Sequence, residues 1–289
     1  MKIVTDSGVD LCLPIGHAAG LDIHTVPLTV NLQGRTYRSG LDISNEAFYS
    51  LLESVPAFPT TSQPSPGAFA EVYSNLAAVD PDILSLHSSS GLSGTLSTAQ
   101  LAASMVPHAS ITFVDTKTMS VAAGWQVEAA AKALKHGWPK EKALLLVQSV
   151  ADATDILFTL NDLRYLIHGG RISHIKWLLV NLFHIKPLIG MEKVRGTYVQ
   201  QGEARSLPQA IEGIVKQMER KHGTGSSLRA QIAHARNPEG ASLLRKLIDA
   251  RFTCTWLPDC TTSLVLGAHA GPSVVGVAYA PATVFGDMP

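Results

Sequence analysis

The chain lacks a surplus of charge of either sign: 23 lysines and arginines balance 23 aspartates and glutamates. Charged residues make up only 16% of its 289 positions. With no net charge and no basic stripe, it offers no electrostatic footprint for nucleic acid or an anionic membrane surface. Cysteine is scarce and odd in number. Cys12, Cys254 and Cys260 show no CxxC spacing, which argues for reduced thiols in a cytosol. Long apolar runs are missing as well. The longest, WLLVNLFHI, is interrupted by Asn181 and is too short to span a bilayer, and MKIVTDSG has no signal-peptide pattern. A cytoplasmic protein without a transmembrane segment is the expectation. Neither GxxxxGK[ST] nor GxGxxG is present, so no nucleotide cofactor is expected. The histidines show no HExxH or paired ligand spacing, so no metal site is expected either.

What is present is apolar material: 46% of the residues are hydrophobic, enough for a large core. The first half alternates short apolar runs with helical stretches. KIVT, DILSLHSS and SITFVDT read as strands, and IHTVPLTVNL as one extended piece. SNEAFYSLLES, SPGAFAEVYSNLAA, GTLSTAQLAASMV and VAAGWQVEAAAKALKHG read as helices, the last stopped by Gly137. Strands and helices at this spacing indicate βαβ units on a parallel sheet. The rhythm breaks near QSVADATDILFTLND, where DLRYLIH and SHIKWLLVNLF read as helices and HIKPLIGMEK and GTYVQQGEARS as a strand pair. A helix over LPQAIEGIVKQMERKH and strands around TCTWLPD and SLVLGAHAGPSVVGVAY follow. The expected division is therefore 1–155 and 156–289.

Two hydroxyl-rich segments carry the chemistry. Thr60, Thr61, Ser62 and Gln63 lie just before a helix start marked by Ser65 and Pro66, where the carboxyl ends of strands bind ligands in open α/β sheets. HSSSGLSGT follows a strand and leads into a helix, so Ser93 and the Gly94 amide meet the positive end of that helix, a ready site for anionic oxygens. Turn and cap formation explains the same residues without a ligand. Arg171 follows Gly169-Gly170 at a helix end, and His269 sits among small residues in a turn read between strands. A serine hydrolase acting on an acyl ester is the competing enzyme reading. It would use Ser93, His269 and Asp6 or Asp115, although GLSG is one residue short of GxSxG.

VTDSGVDL, TTSQPS, SSGLSGT, VDT, LRYLIHGGRIS, LLVNLFHIKPLI and AHAGP occur in the order seen in the DegV family, which this chain resembles from about residue 3 to residue 278. The resemblance implies an N-terminal parallel-sheet α/β domain packed on a C-terminal α/β domain with mixed or antiparallel strands. It implies a long-chain fatty acid buried between the domains. It also implies, for some members, the role of acyl-carrier subunit that presents the carboxylate to an ATP-binding fatty acid kinase in phospholipid metabolism. By the same resemblance Thr61 and Ser93 hold the carboxylate, with Ser62 and the Gly94 amide beside it. Arg171 and His269 would sit at the tunnel mouth, where phosphoryl transfer occurs. Leu163, Leu166, Ile167, Leu178, Leu179, Phe183 and Ile185 are the expected acyl lining. The chain departs from the pattern at Ser273, where a second glycine is usual, and at GMEKVRG, which blurs a hairpin spacing. No catalytic residue, metal or cofactor is implied. Neutral donors suit a carboxylate in an apolar tunnel, since a buried ion pair would have to desolvate both partners.

Overall fold

The structure, a computed structural model, describes residues 1–12, 20–171, 185–286 and 288–289. The first half holds strands β1 (Lys2–Asp6), β2 (Ile23–Val26), β3 (Thr29–Leu32), β4 (Arg35–Arg38), β5 (Thr60–Ser62), β6 (Asp82–His87) and β7 (Ser110–Asp115). Its helices are α1 (Asn45–Ser54), α2 (Pro66–Ala77), α3 (Thr95–Ala103), α4 (Ser120–Lys135) and α5 (Lys140–Ala153). The second half begins with β8 (Asp155–Thr159), α6 (Arg164–His168), β9 (Lys186–Glu192) and β10 (Thr197–Ala204). Then come α7 (Leu207–His222), β11 (Ser227–His234), α8 (Pro238–Asp249), β12 (Thr253–Trp256), β13 (Cys260–Thr261), α9 (Leu264–Ala270) and β14 (Val275–Pro281).

In the first sheet the order is β2-β1-β6-β7 and every pair is parallel. Such a sheet must be covered on both faces, and alternation in β1 shows how. Val4 packs with Phe69 and Tyr73 of α2 and Ala99 of α3, while its neighbour Ile3 packs with Ala123, Val127 and Ala130 of α4. α2 begins where its residues dictate: Ser65 Oγ accepts the Ala68 amide at 3.2 Å, and Pro66 fills the first turn.

The second sheet runs β10-β9-β8-β14-β11-β12, antiparallel except where β11 meets β12 and β13. The expected α/β fold, one parallel sheet and one mixed sheet, is the fold observed. Ile211 and Ile214 of α7 and Leu244 and Ile248 of α8 cover one face. The other face receives α4, whose Trp125 and Ala129 pack on Ala233 and Ala278. α4 thus lies between the two sheets, and its alanines let both approach closely. Its buried Glu128 pairs with Arg229 of β11, whose guanidinium lies 4.7 Å from the Trp125 ring centre and 4.2 Å from that of Phe285. A small sheet, β4-β3-β5, joins another cluster in which Leu28, Phe48 and Leu52 meet Phe158, Leu166 and Leu264. The two halves therefore share a core.

Several local expectations change. IHTVPLTVNL splits at Pro27 into β2 and β3, which belong to different sheets, because proline has no N–H to extend a ladder. Thr60–Ser62 form strand β5 paired with β3 instead of a loop. Helix α5, with Ala143, Val147 and Val150 buried, was not expected. The segment around His269 is helix α9, not a turn between strands. Cys12 and Cys260 form a disulfide, so the expectation of uniformly reduced thiols fails; Cys254 is free. The helix expected over SHIKWLLVNLF lies outside the described residues.

Candidate functional site

The site begins with Asp6 at the end of β1. Its carboxylate accepts the Gly8 amide at 2.8 Å, the Ser88 amide at 2.9 Å and the Ser88 hydroxyl at 3.0 Å. His87 Nδ1 lies 3.0 Å from the same carboxylate, and His87 Nε2 lies 2.7 Å from Ser85 Oγ. With both oxygens satisfied, Asp6 draws the ends of β1 and β6 together. Gly8 and Ser88 thereby form part of the wall of a cavity of about 280 Å³.

β5 brings Thr61 to that cavity with Oγ1 2.9 Å from His269 Nε2. Gln63 Nε2 donates to Thr98 Oγ1, which ties the end of β5 to α3. Ser93, also on the wall, has its Oγ 2.7 Å from Thr95 Oγ1. Gly94 caps α3 without a side-chain acceptor of its own, and the first helical amide, that of Thr95, donates to Ser93 Oγ at 3.3 Å, so Ser93 stands at the positive end of this helix. The TSQP and LSGT segments thus stand at one site, joined by Gln63.

His269 of α9 is buried at 8% exposure. Burial, with the nearby Arg171 charge, pushes its pKa down to about 3, so the imidazole is neutral at physiological pH. Its Nδ1 has no partner among the described residues. Gly169 permits this placement, since a Cβ there would come within 2.1 Å of Nδ1. In the tautomer that suits the hydrogen bonding, Nε2–H donates to Thr61 Oγ1, which frees the threonine proton for an anion. Arg171 donates from Nη1 to the Gly169 carbonyl at 2.6 Å and from Nε to the Leu92 carbonyl at 3.4 Å. Among the described residues it is the one cation on the cavity wall.

Away from these donors the wall turns apolar. A second cavity of about 30 Å³ shares Met119, Tyr198 and Leu266 with the first and adds Ile156, Phe158 and Val274. Burial raises the pKa of the Tyr198 phenol, whose hydroxyl turns to Met119 Sδ at 3.2 Å. The arrangement is a polar head on an apolar interior. Among the described residues no group of His, Cys, Asp or Glu could hold a metal ion.

Thr61, Ser62, Ser93, Arg171 and His269 therefore all face one cavity, with Gly94 at the adjoining helix cap. Of the residues expected to line the acyl chain, four are among the described residues. Leu163 and Leu166 are core residues, and Ile167 and Ile185 pack against that core; none of the four lines either cavity. Leu178, Leu179 and Phe183 lie outside the described residues. Met119, Tyr198, Val265 and Leu266 were missed because they come from three separate places, the start of α4, β10 and α9, and only the packing of those elements brings them together. The hydrolase relay is not assembled. Ser93 bonds Thr95, His269 bonds Thr61, Asp6 serves His87 and Ser88, and Asp115 serves Ser90 and Lys117.

Comparison with known proteins identifies the family. A family model for the DegV family, described as an uncharacterised protein family, matches residues 1–282. This chain belongs to the DegV family. A DegV domain-containing protein of Deinococcus radiodurans is 34% identical over 279 residues, 96% of this chain and 95% of that protein. A DegV family protein of Thermus thermophilus, described for its fatty acid binding, is 31% identical with a TM-score of 0.85. Its structure and this one match over 99% and 97% of their lengths. DegV of Bacillus subtilis, described as a fatty acid binding protein, is 27% identical with a TM-score of 0.85, over 96% of this chain and 98% of that one. The DegV fold therefore extends along the chain.

Proposed function

We propose that this DegV protein binds a long-chain fatty acid, its carboxylate at Thr61 and Ser93 and its acyl chain in the apolar cavities behind them. The observation that carries the reading is the pairing of Thr61 with neutral His269 at the head of a cavity that becomes apolar with depth. Hydroxyls and helix amides satisfy a carboxylate through hydrogen bonds to a charged acceptor, without a buried cation. Ser62 and the Gly94 amide supply neighbouring donors. The relatives described as binding fatty acid support the choice of ligand.

The protein is a carrier, not a catalyst, and presents the carboxylate to an ATP-binding fatty acid kinase in the cytoplasm. Residues 1–155 and 156–289 act as its two domains, closed around the ligand. Arg171 serves phosphoryl transfer, because a guanidinium matches phosphate oxygens bidentately and stabilises the charge that develops in transfer. His269, which the family resemblance set beside Arg171 at the mouth, acts first by orienting Thr61. Two assays test the proposal: mass spectrometry of lipid extracted from the purified chain, and a kinase reconstitution with palmitate. Arg171→Ala should keep its lipid and lose acyl-phosphate formation. A variant that empties, or that supports normal phosphorylation, contradicts the role given to Arg171.

A further inference from the structure

Cys12 and Cys260 are separated by 248 residues in sequence, yet their Cα atoms lie 5.5 Å apart and they are joined as a disulfide. Cys12 follows β1, four residues beyond Gly8, and Cys260 opens β13, four residues before α9. Gly8 lines the ligand cavity, and so do Val265, Leu266 and His269 of α9. Two further ties join the same pieces. Asp10 Oδ1 accepts the Ser263 amide at 3.1 Å, and Gln231 Nε2 donates to the Cys12 carbonyl at 2.7 Å. The chain has one other cysteine, so this bond is the single covalent link between these two walls besides the main chain.

We propose that the Cys12–Cys260 disulfide is a redox-set strap on the cavity. Oxidised, it holds the Gly8 loop to the segment that leads into α9. Reduced, it lets these walls part so that ligand exchanges faster. The strap rests on the fatty acid reading only for the identity of the ligand.

The reductant is a protein or small-molecule dithiol. Its thiolate attacks Cys12 Sγ, which is half-buried, because Cys260 is completely buried. The Cys12–Cys260 bond breaks, and Cys260 leaves as a thiolate that takes up a proton. The second thiol of the reductant then displaces Cys12 from the mixed disulfide and closes a disulfide within the reductant. Two electrons and two protons have passed to the pair. Cys254 is a poor competitor for this exchange, since burial pushes its thiol up to about 11 and leaves little thiolate at neutral pH.

Linkage adds a second signature. If closure of the strap tightens binding by some factor, bound ligand favours the disulfide by the same factor. The test uses the full chain with palmitate as probe, in dithiothreitol buffers of stepped potential, with thiol labelling read by mass spectrometry. Reduction is expected to weaken palmitate affinity about 5- to 150-fold, the usual span of such couplings. Palmitate is expected to lower the midpoint potential by about 30 mV for each tenfold of that coupling. The Cys12→Ser/Cys260→Ser variant should behave like reduced protein and lose the redox response. Equal affinities with an unmoved midpoint would overturn the strap, as would both sulfurs remaining free in diamide-treated protein. If neither redox state takes up palmitate, the fatty acid reading fails instead. Amide hydrogen exchange over residues 262–270 then decides the strap: faster exchange on reduction supports it, and no change refutes it.

Discussion

At the scale of single residues, three groups set testable consequences. Thr61→Val keeps the shape of the side chain and removes its donor, which should weaken fatty acid binding by roughly 1.5–3 kcal/mol. Because His269 Nε2 lies 2.9 Å from Thr61 Oγ1, His269→Ala should lose part of the same energy. The double variant should then fall short of the sum by about 0.5–3 kcal/mol, as contacting residues do. Calorimetric titration with palmitate checks this, and strict additivity would contradict the coupling. Asp10 is the third group. Burial raises its pKa to about 6 despite hydrogen bonds from Ser120 Oγ at 2.6 Å and the Ser263 amide at 3.1 Å. A carboxyl whose folded pKa lies above its unfolded value binds more protons when folded. Its effect on stability is nil below about pH 4 and becomes increasingly unfavourable as pH rises toward 6. The stability of Asp10→Asn relative to wild type should therefore grow by roughly 2 kcal/mol between pH 4 and pH 7. Urea unfolding across that range measures it; a constant difference would refute the assignment.

Among the elements, the loop between β6 and α3 is held by the β9–β10 turn: Ser89 Oγ donates to the Gly196 carbonyl at 2.7 Å. A Cβ at Gly91 would come within 2.4 Å of the Arg195 carbonyl oxygen and 2.6 Å of that of Gly196. Gly91→Ala should destabilise the fold by about 1–3 kcal/mol, since backbone atoms on both sides must move. Unchanged unfolding would show that this docking is loose. Elements whose residues agree at every level were legible in the sequence. Ser65 and Pro66 start α2 as capping requires, and HSSSGLSGT ends a strand and opens α3 as its glycines and hydroxyls suggest. Where a local pattern had two outcomes, tertiary packing chose. The small residues of LGAHAG suited a turn, yet they form α9 because Leu264, Val265 and Ala268 bury against the shared cluster. β5 was hidden because a three-residue strand has too little periodicity to read. The donors of the site were visible as motifs. Its apolar walls were not, because no single stretch contains them.

For the whole molecule, the contact between the two sheets runs through α4 and its buried Glu128–Arg229 pair. Glu128→Leu would strand a guanidinium between Trp125 and Phe285 and should cost about 3–5 kcal/mol. Pairing it with Arg229→Met should recover most of that loss, because an apolar pair of similar size needs no desolvation. Thermal unfolding of the three proteins tests this, and a double variant no better than the single one would contradict it. No helix among the described residues is long and apolar enough to cross a membrane. The account's central claim concerns what lies between the two halves. Its most direct test is quantitative mass spectrometry of lipid extracted from the purified chain, beside the Thr61→Val/Ser93→Ala variant. The account predicts long-chain fatty acid near one equivalent per chain in the wild type and little in the variant. A wild type free of fatty acid, or a folded variant that carries as much, would contradict it.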